Sequence, residues 1–412
     1  MRDTESNVAP IVLAITVGLT PRHLQDPSLA GATPTLRALA QQGSATPLES
    51  VVPAVTLAAQ ASLLTGRLPQ DHGIVGNGWH FRETDEIRLW QQSRHLIAGP
   101  LFYETARERA AQRGRRWTVA KLFAWFNQAS RVEWAVTPKP HYGADGRKVF
   151  GIHGKPAAWV QDLERALGPF PFFTFWGPRA GPASTEWIAR ATAQTLSQQR
   201  PELTLAYLPV LDYDLQRFGP TGPHLEPALQ TLDAAVQTLH KACKAQGTRL
   251  VLLSEYGIGE VRQQVTLNRT LRQAGFVQVR DGPFGEVLDV PDSPAVVVAD
   301  HQVAHISLHP WHRSRIEQPI ADLVRQTPGV ARIYIGPQRA EIGLDHPRAG
   351  DIVALAEPDA WFGYEYWLDP RRRPDFAPTV DIHRKPGYDP QEMVFAPELR
   401  LATLHVLRKV LA

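Results

Sequence analysis

The chain has 412 residues, 43% of them hydrophobic and 21% charged, with a formal net charge of +3. This composition excludes a disordered chain and a membrane-embedded one, and it predicts a soluble globular protein with a large core. The length exceeds that of one typical domain, so one large domain carrying an insertion, or two domains, is expected.

The densest basic runs, residues 113–116 (broken by Gly114) and 371–373, carry no interleaved aromatic residues. They read as solvated surface, and no nucleic-acid partner is expected. The single cysteine, Cys243, excludes an intramolecular disulfide and fits a reducing compartment. The apolar run 11–15 is too short to span a membrane, and the N-terminus lacks the basic region and cleavage pattern of a signal peptide. A cytoplasmic location without membrane insertion is the expectation.

In chain order, the apolar run 11–15, ended by Gly18 and Pro21, predicts a buried strand of a parallel sheet. Thr33 and Pro34 start a helix that Gly43 stops. Residues 46–52 read as extended, closed by Pro53, and 56–64 as a small, apolar helix ended by Gly66. A strand at 203–208, a long helix at 225–246 and a strand at 249–253 continue the alternation. Strand and helix in this rhythm predict an α/β fold: a doubly wound, mostly parallel central sheet with helices on both faces. Two regions break the rhythm. The stretch 79–187 is rich in tryptophan and reads as elaborated core. In 258–343, short strands and turns dominate, with 295–298 and 332–335 the clearest strands. The expected organisation is therefore a core of 1–257 and 344–412 with an inserted cap at 258–343.

Ligands of open α/β sheets bind at the carboxyl ends of the strands. There the sequence places Val17 and Gly18, then Thr56, then Asp212, Asp214 and Gln216, then Glu255 and Tyr256, with Asp381 and His383 near the C-terminus. A Thr hydroxyl at a helix N-terminus faces the positive dipole end, which favours an anion such as phosphate, although the commoner use of Thr there is as an N-cap. A Thr hydroxyl is a weak nucleophile and needs a metal or a base. His301 and His305 stand four apart and share one face of a helix or of an extended segment; a structural role and a metal pair both fit them. Arg384 and Lys385 could offer fixed positive charge to a phosphoryl group, or lie on solvated surface.

Thr35 to Ala40, Pro53 to Thr56 and Thr65 to Asn77 closely resemble the type I phosphodiesterase/nucleotide pyrophosphatase family of the alkaline phosphatase superfamily. The resemblance resumes at 207–212, 219–220, 254–257, 346–351 and 383–390, and so spans nearly the whole chain. It implies a two-metal, usually zinc, site at the carboxyl edge of the sheet. It also implies Thr56 as a nucleophile forming a phosphoryl-enzyme and Asn77 as a residue holding a phosphoryl oxygen. The substrate it implies is a small-molecule phosphoester.

Of six further ligand positions implied by the resemblance, Asp212 and His383 are kept and Glu255 is similar. Val17, Gln216 and Tyr256 replace the other three. Val17 has no donor atom, and a tyrosine hydroxyl is a poor zinc ligand at its usual pKa of about 10. The expectation is therefore a phosphoester hydrolase with a reduced site: one divalent ion, zinc, manganese or magnesium, on Asp212, Glu255, His383 and the amide oxygen of Gln216, or none. Asp214 and Tyr256 are lesser candidates for that site. The competing expectation is a catalytically silent relative that uses the pocket for binding.

Overall fold

The computed structural model describes residues 9–145, 147–175, 179–375 and 377. The apolar runs pair into one six-stranded sheet. Its spatial order is Arg249–Ser254, Ile11–Thr16, Leu203–Leu208, Val119–Leu122, Trp134–Pro138 and Ile152–Lys155. All neighbours are parallel except the last pair. Leu203–Leu208 is buried at all six positions, which requires cover on both faces and explains its unbroken apolar sequence. Helices Pro182–Gln199 and Leu225–Gln246 pack against each other and against this sheet. The mostly parallel sheet flanked by helices is the α/β architecture expected.

The long helix also fixes a shorter one. Asp233, buried on Leu225–Gln246, accepts hydrogen bonds from the backbone N–H groups of Thr35 (3.2 Å) and Leu36 (2.8 Å) in the first turn of helix Pro34–Gln42. Thr33, at the N-cap, makes no side-chain cap bond, so the carboxylate caps from a distance. Asp233→Ala is expected to cost about 2 kcal/mol by orphaning those donors, measured as a lower midpoint in urea unfolding.

A second, antiparallel sheet has the order Ala295–Asp300, Val303–Leu308, Ile352–Ala356, Val330–Ile335. It has its own apolar core, drawn from Val265 to Ala377. The boundary expected at 343 falls before the third strand of this sheet. Ile352–Ala356 is the third strand of this sheet and bonds on both edges, so the smaller unit cannot close without residues beyond 343. No strand of the large sheet follows Ser254 among the described residues.

The strand expected over 46–52 is corrected. Residues 43–50 are exposed and join no sheet. Pro47 in its middle has no N–H to give a ladder.

Candidate active site

The site forms where the parallel strands end. Gly18, just after the first strand, has φ +74°, and a Cβ there would lie 2.7 Å from Leu215 Cδ1, so this turn demands glycine. The strand Leu203–Leu208 leads into helix Val210–Phe218, which carries Asp212, Asp214 and Gln216. Arg249–Ser254 delivers Glu255 and Tyr256.

Thr56 is the first residue of helix Thr56–Thr65, and the N-cap is Val55. The hydroxyl is therefore not spent on capping its own helix. Asn77 does part of that work: its Oδ1 accepts from Leu57 N at 3.1 Å. Asp300 in turn accepts from Asn77 N (2.6 Å) and Nδ2 (3.3 Å), which holds the amide in place.

Thr56 Oγ1 lies 3.3 Å from the Tyr256 hydroxyl, which donates to Asp212 Oδ1 at 3.2 Å. Gln216 Nε2 donates to the same oxygen at 2.7 Å. Glu255 accepts from Gln60 Nε2, whose Oε1 accepts from Trp125 N at 2.8 Å. Thr56, Asn77, Asp212 and Glu255 are all buried. Burial raises the pKa of Asp212, opposed by the bond from Gln216, the positive side of His301 and the bond from Tyr256. Burial likewise raises Glu255, opposed by Gln60 and Thr56 and reinforced by Asp212.

Thr56, Asn77, Asp212, Glu255, Gln216 and Tyr256 lie near one another at the carboxyl edge of the sheet. Asp214 and His305 do not join them, whereas His301 acts electrostatically on Asp212. Asp214 pairs with Arg217 at 3.2 Å. His305 is fully enclosed, bonded through Nε2 to Val75 O (3.0 Å) and through Nδ1 to Gly350 N (3.2 Å). His301 sits at φ +59° in the turn between two strands, with Nδ1 3.1 Å from Asp300 Oδ1. The spacing suited to a His pair is broken by that turn, so the two rings serve different contacts. His383, Arg384 and Lys385 lie outside the described residues.

Gln60 and Lys121 escaped the sequence reading. Gln60 is a buried amide on an apolar helix, and Lys121 is a buried lysine in an apolar strand. Lys121 Nζ donates to the carbonyls of Trp125 and Phe126, 3.0 Å each. A lone polar residue inside an apolar run was the available signal for both. Gln60→Leu removes the donor to Glu255 and the acceptor for Trp125 N together. It is expected to cost about 3 kcal/mol, since both groups stay buried, read as a lower midpoint in denaturant.

A two-metal ligand set does not fit these residues. Val17 is wholly buried in the apolar core, Gln216 turns its amide hydrogens to Asp212, and Tyr256 offers a protonated phenol. Among the described residues no group of three or more His, Cys, Asp and Glu could hold an ion.

A hydroxyl at a helix N-terminus is thus set beside buried carboxylates at the carboxyl edge of a mostly parallel sheet. The chain belongs to the type I phosphodiesterase / nucleotide pyrophosphatase family, which it matches over residues 11–389. Its fold is similar to that of phosphonoacetate hydrolase from Sinorhizobium meliloti 1021. For the complex with phosphonoformate the TM-score is 0.60 at 18% identity, covering 87% of this chain and 83% of that one. For the complex with phosphonoacetate it is 0.61 at 17% identity, covering 89% and 84%. No helix among the described residues is long and apolar enough to cross a membrane.

Proposed function

We propose that the protein hydrolyses small-molecule phosphoric esters, phosphodiesters foremost, with Thr56 as nucleophile. The observation that carries this reading is the Thr56 hydroxyl, buried at a helix N-terminus, free of capping and directed at Tyr256. Membership of the family supports it.

An ester phosphate drawn to the helix N-terminus meets the positive end of the dipole. Asn77 uses one of its two amide hydrogens on Asp300; the other suits a non-bridging phosphoryl oxygen. Thr56 Oγ forms a bond to phosphorus as the bond to the leaving oxygen breaks, and the hydroxyl proton ends on that leaving oxygen. Water then attacks the same phosphorus, and the Thr56 oxygen departs and regains a proton. Divalent ions in such sites act as Lewis acids. The donors here suit at most one ion.

Hydrolysis of bis-p-nitrophenyl phosphate, followed with added Zn²⁺, Mn²⁺ or Mg²⁺ and with EDTA, tests the proposal; turnover under at least one condition is expected. The rival, a silent relative that keeps the pocket for binding, draws on the replacements at Val17, Gln216 and Tyr256. Ligand binding with no turnover under any condition would establish that rival instead.

A further inference from the structure

Two buried carboxylates side by side need either a cation or a supply of hydrogen-bond donors. Here donors are supplied to Asp212 Oδ1 and to Glu255 Oε1, while the buried Glu255 Oε2 has no hydrogen-bond partner among the described residues. Asp212 Oδ1 takes two, from Gln216 (2.7 Å) and Tyr256 (3.2 Å), and Glu255 takes one from Gln60. The phenol oxygen of Tyr256 contacts Thr56 Oγ1 on one side and Asp212 on the other at hydrogen-bond distances. Metal ligand oxygens would be linked by an ion about 2 Å from each.

The placement of Tyr256 is secured from several directions. Its backbone carbonyl accepts from Gly18 N (2.9 Å) and from Ser254 Oγ (3.1 Å). Its ring packs on the core that contains Val17. Beside Thr56 stand the Tyr256 hydroxyl, at 3.3 Å, and the Glu255 carboxylate, while Val17 lies in the apolar core behind them.

We propose that Tyr256 takes the place of an ion beside Thr56: its hydroxyl orients the Thr56 oxygen and ties it to Asp212, and with Val17 it closes that position to metal. This rests on the reading of Thr56 as nucleophile. The hydroxyl is a donor to Asp212 Oδ1 at 3.2 Å. Tyr256 acts through Thr56 and is a positioning residue.

Metal content and kinetics test this separately. After zinc loading and dialysis, elemental analysis should find at most one zinc per chain in the wild type and one more in Val17→Asp/Tyr256→His. Tyr256→His alone, with a smaller change to the core, should also gain zinc if the double variant fails to fold. Tyr256→Phe keeps the ring and should lower kcat on bis-p-nitrophenyl phosphate by about 10-fold, the scale of one lost hydrogen bond. KM should stay nearly unchanged, and added zinc should not restore the rate. Two zinc ions per wild-type chain, folded histidine variants with no extra zinc, or full kcat in Tyr256→Phe would each overturn the proposal. A wild type without turnover would defeat the hydrolase reading alone, because the zinc counts still decide whether Tyr256 excludes the ion.

Discussion

Thr56→Ala is expected to lower turnover of bis-p-nitrophenyl phosphate by at least about 10³-fold, equivalent to about 4 kcal/mol of barrier, while the fold survives. The residue opens its helix without serving as the N-cap, and alanine is the best helix former. The melting temperature should therefore move by no more than a few degrees. A Thr56→Ser variant, which keeps a hydroxyl, should retain a measurable part of the rate. Steady-state kinetics paired with thermal unfolding separates loss of the nucleophile from loss of the structure. Undiminished kcat in a folded Thr56→Ala protein would remove Thr56 from the mechanism.

A second large effect is expected from acid. His72 and His305 are both buried and neutral, and burial pushes each pKa from 6.5 down to about 4. Each ring takes a backbone N–H at Nδ1, from Ile74 (3.1 Å) and Gly350 (3.2 Å). Protonating Nδ1 would set two donors against each other. Because the folded pKa is depressed, the stabilisation is complete above pH 6.5 and is lost as the pH falls towards 4. Each ring accounts for about 3 kcal/mol over that window. The buried carboxylates Asp212 and Glu255, with raised pKa values, act in the opposite sense. The discriminating measurement is therefore a comparison: unfolding free energy between pH 7 and 4.5 for the wild type and His305→Gln. The variant should be less stable at pH 7 and show a shallower decline. Equal slopes would show that His305 carries no such linkage.

Both effects follow from placing polar groups inside a core, and the same principle governs Gln60. Its amide joins Trp125 N to Glu255, so a residue on helix Thr56–Thr65 connects a loop after one strand to the carboxylate after another. Tyr256 makes a comparable bridge between Thr56 and Asp212. The site is organised by bonds between segments as far apart as 223 residues.

Much of this was legible along the chain. Continuous apolar runs mark buried strands, and Ile11–Thr16 and Leu203–Leu208 stand where those runs lie, as does the half-exposed edge strand Arg249–Ser254. The long helix Leu225–Gln246 ends at Gly247, which adopts the left-handed conformation that glycine favours. Once the sheet is parallel, its carboxyl edge names the candidate residues, since every such strand points its C-terminus the same way. The replacements at Val17, Gln216 and Tyr256 are likewise a matter of residue identity, which needs no coordinates.

The tertiary structure alone decided what those residues do with one another. Local pattern cannot report that Pro47 keeps its segment out of the sheet, or that Ile352–Ala356 completes the smaller sheet beyond 343, because strand pairing depends on partners distant in sequence. Nor can spacing tell a metal pair from His305 enclosed by backbone groups and His301 held in a tight turn. Hydrogen-bond partners are chosen by proximity in space. The identities of Thr56, Asp212 and Tyr256 came from the chain, but that the phenol lies between the other two was settled by packing of the first strand against the segment after the last.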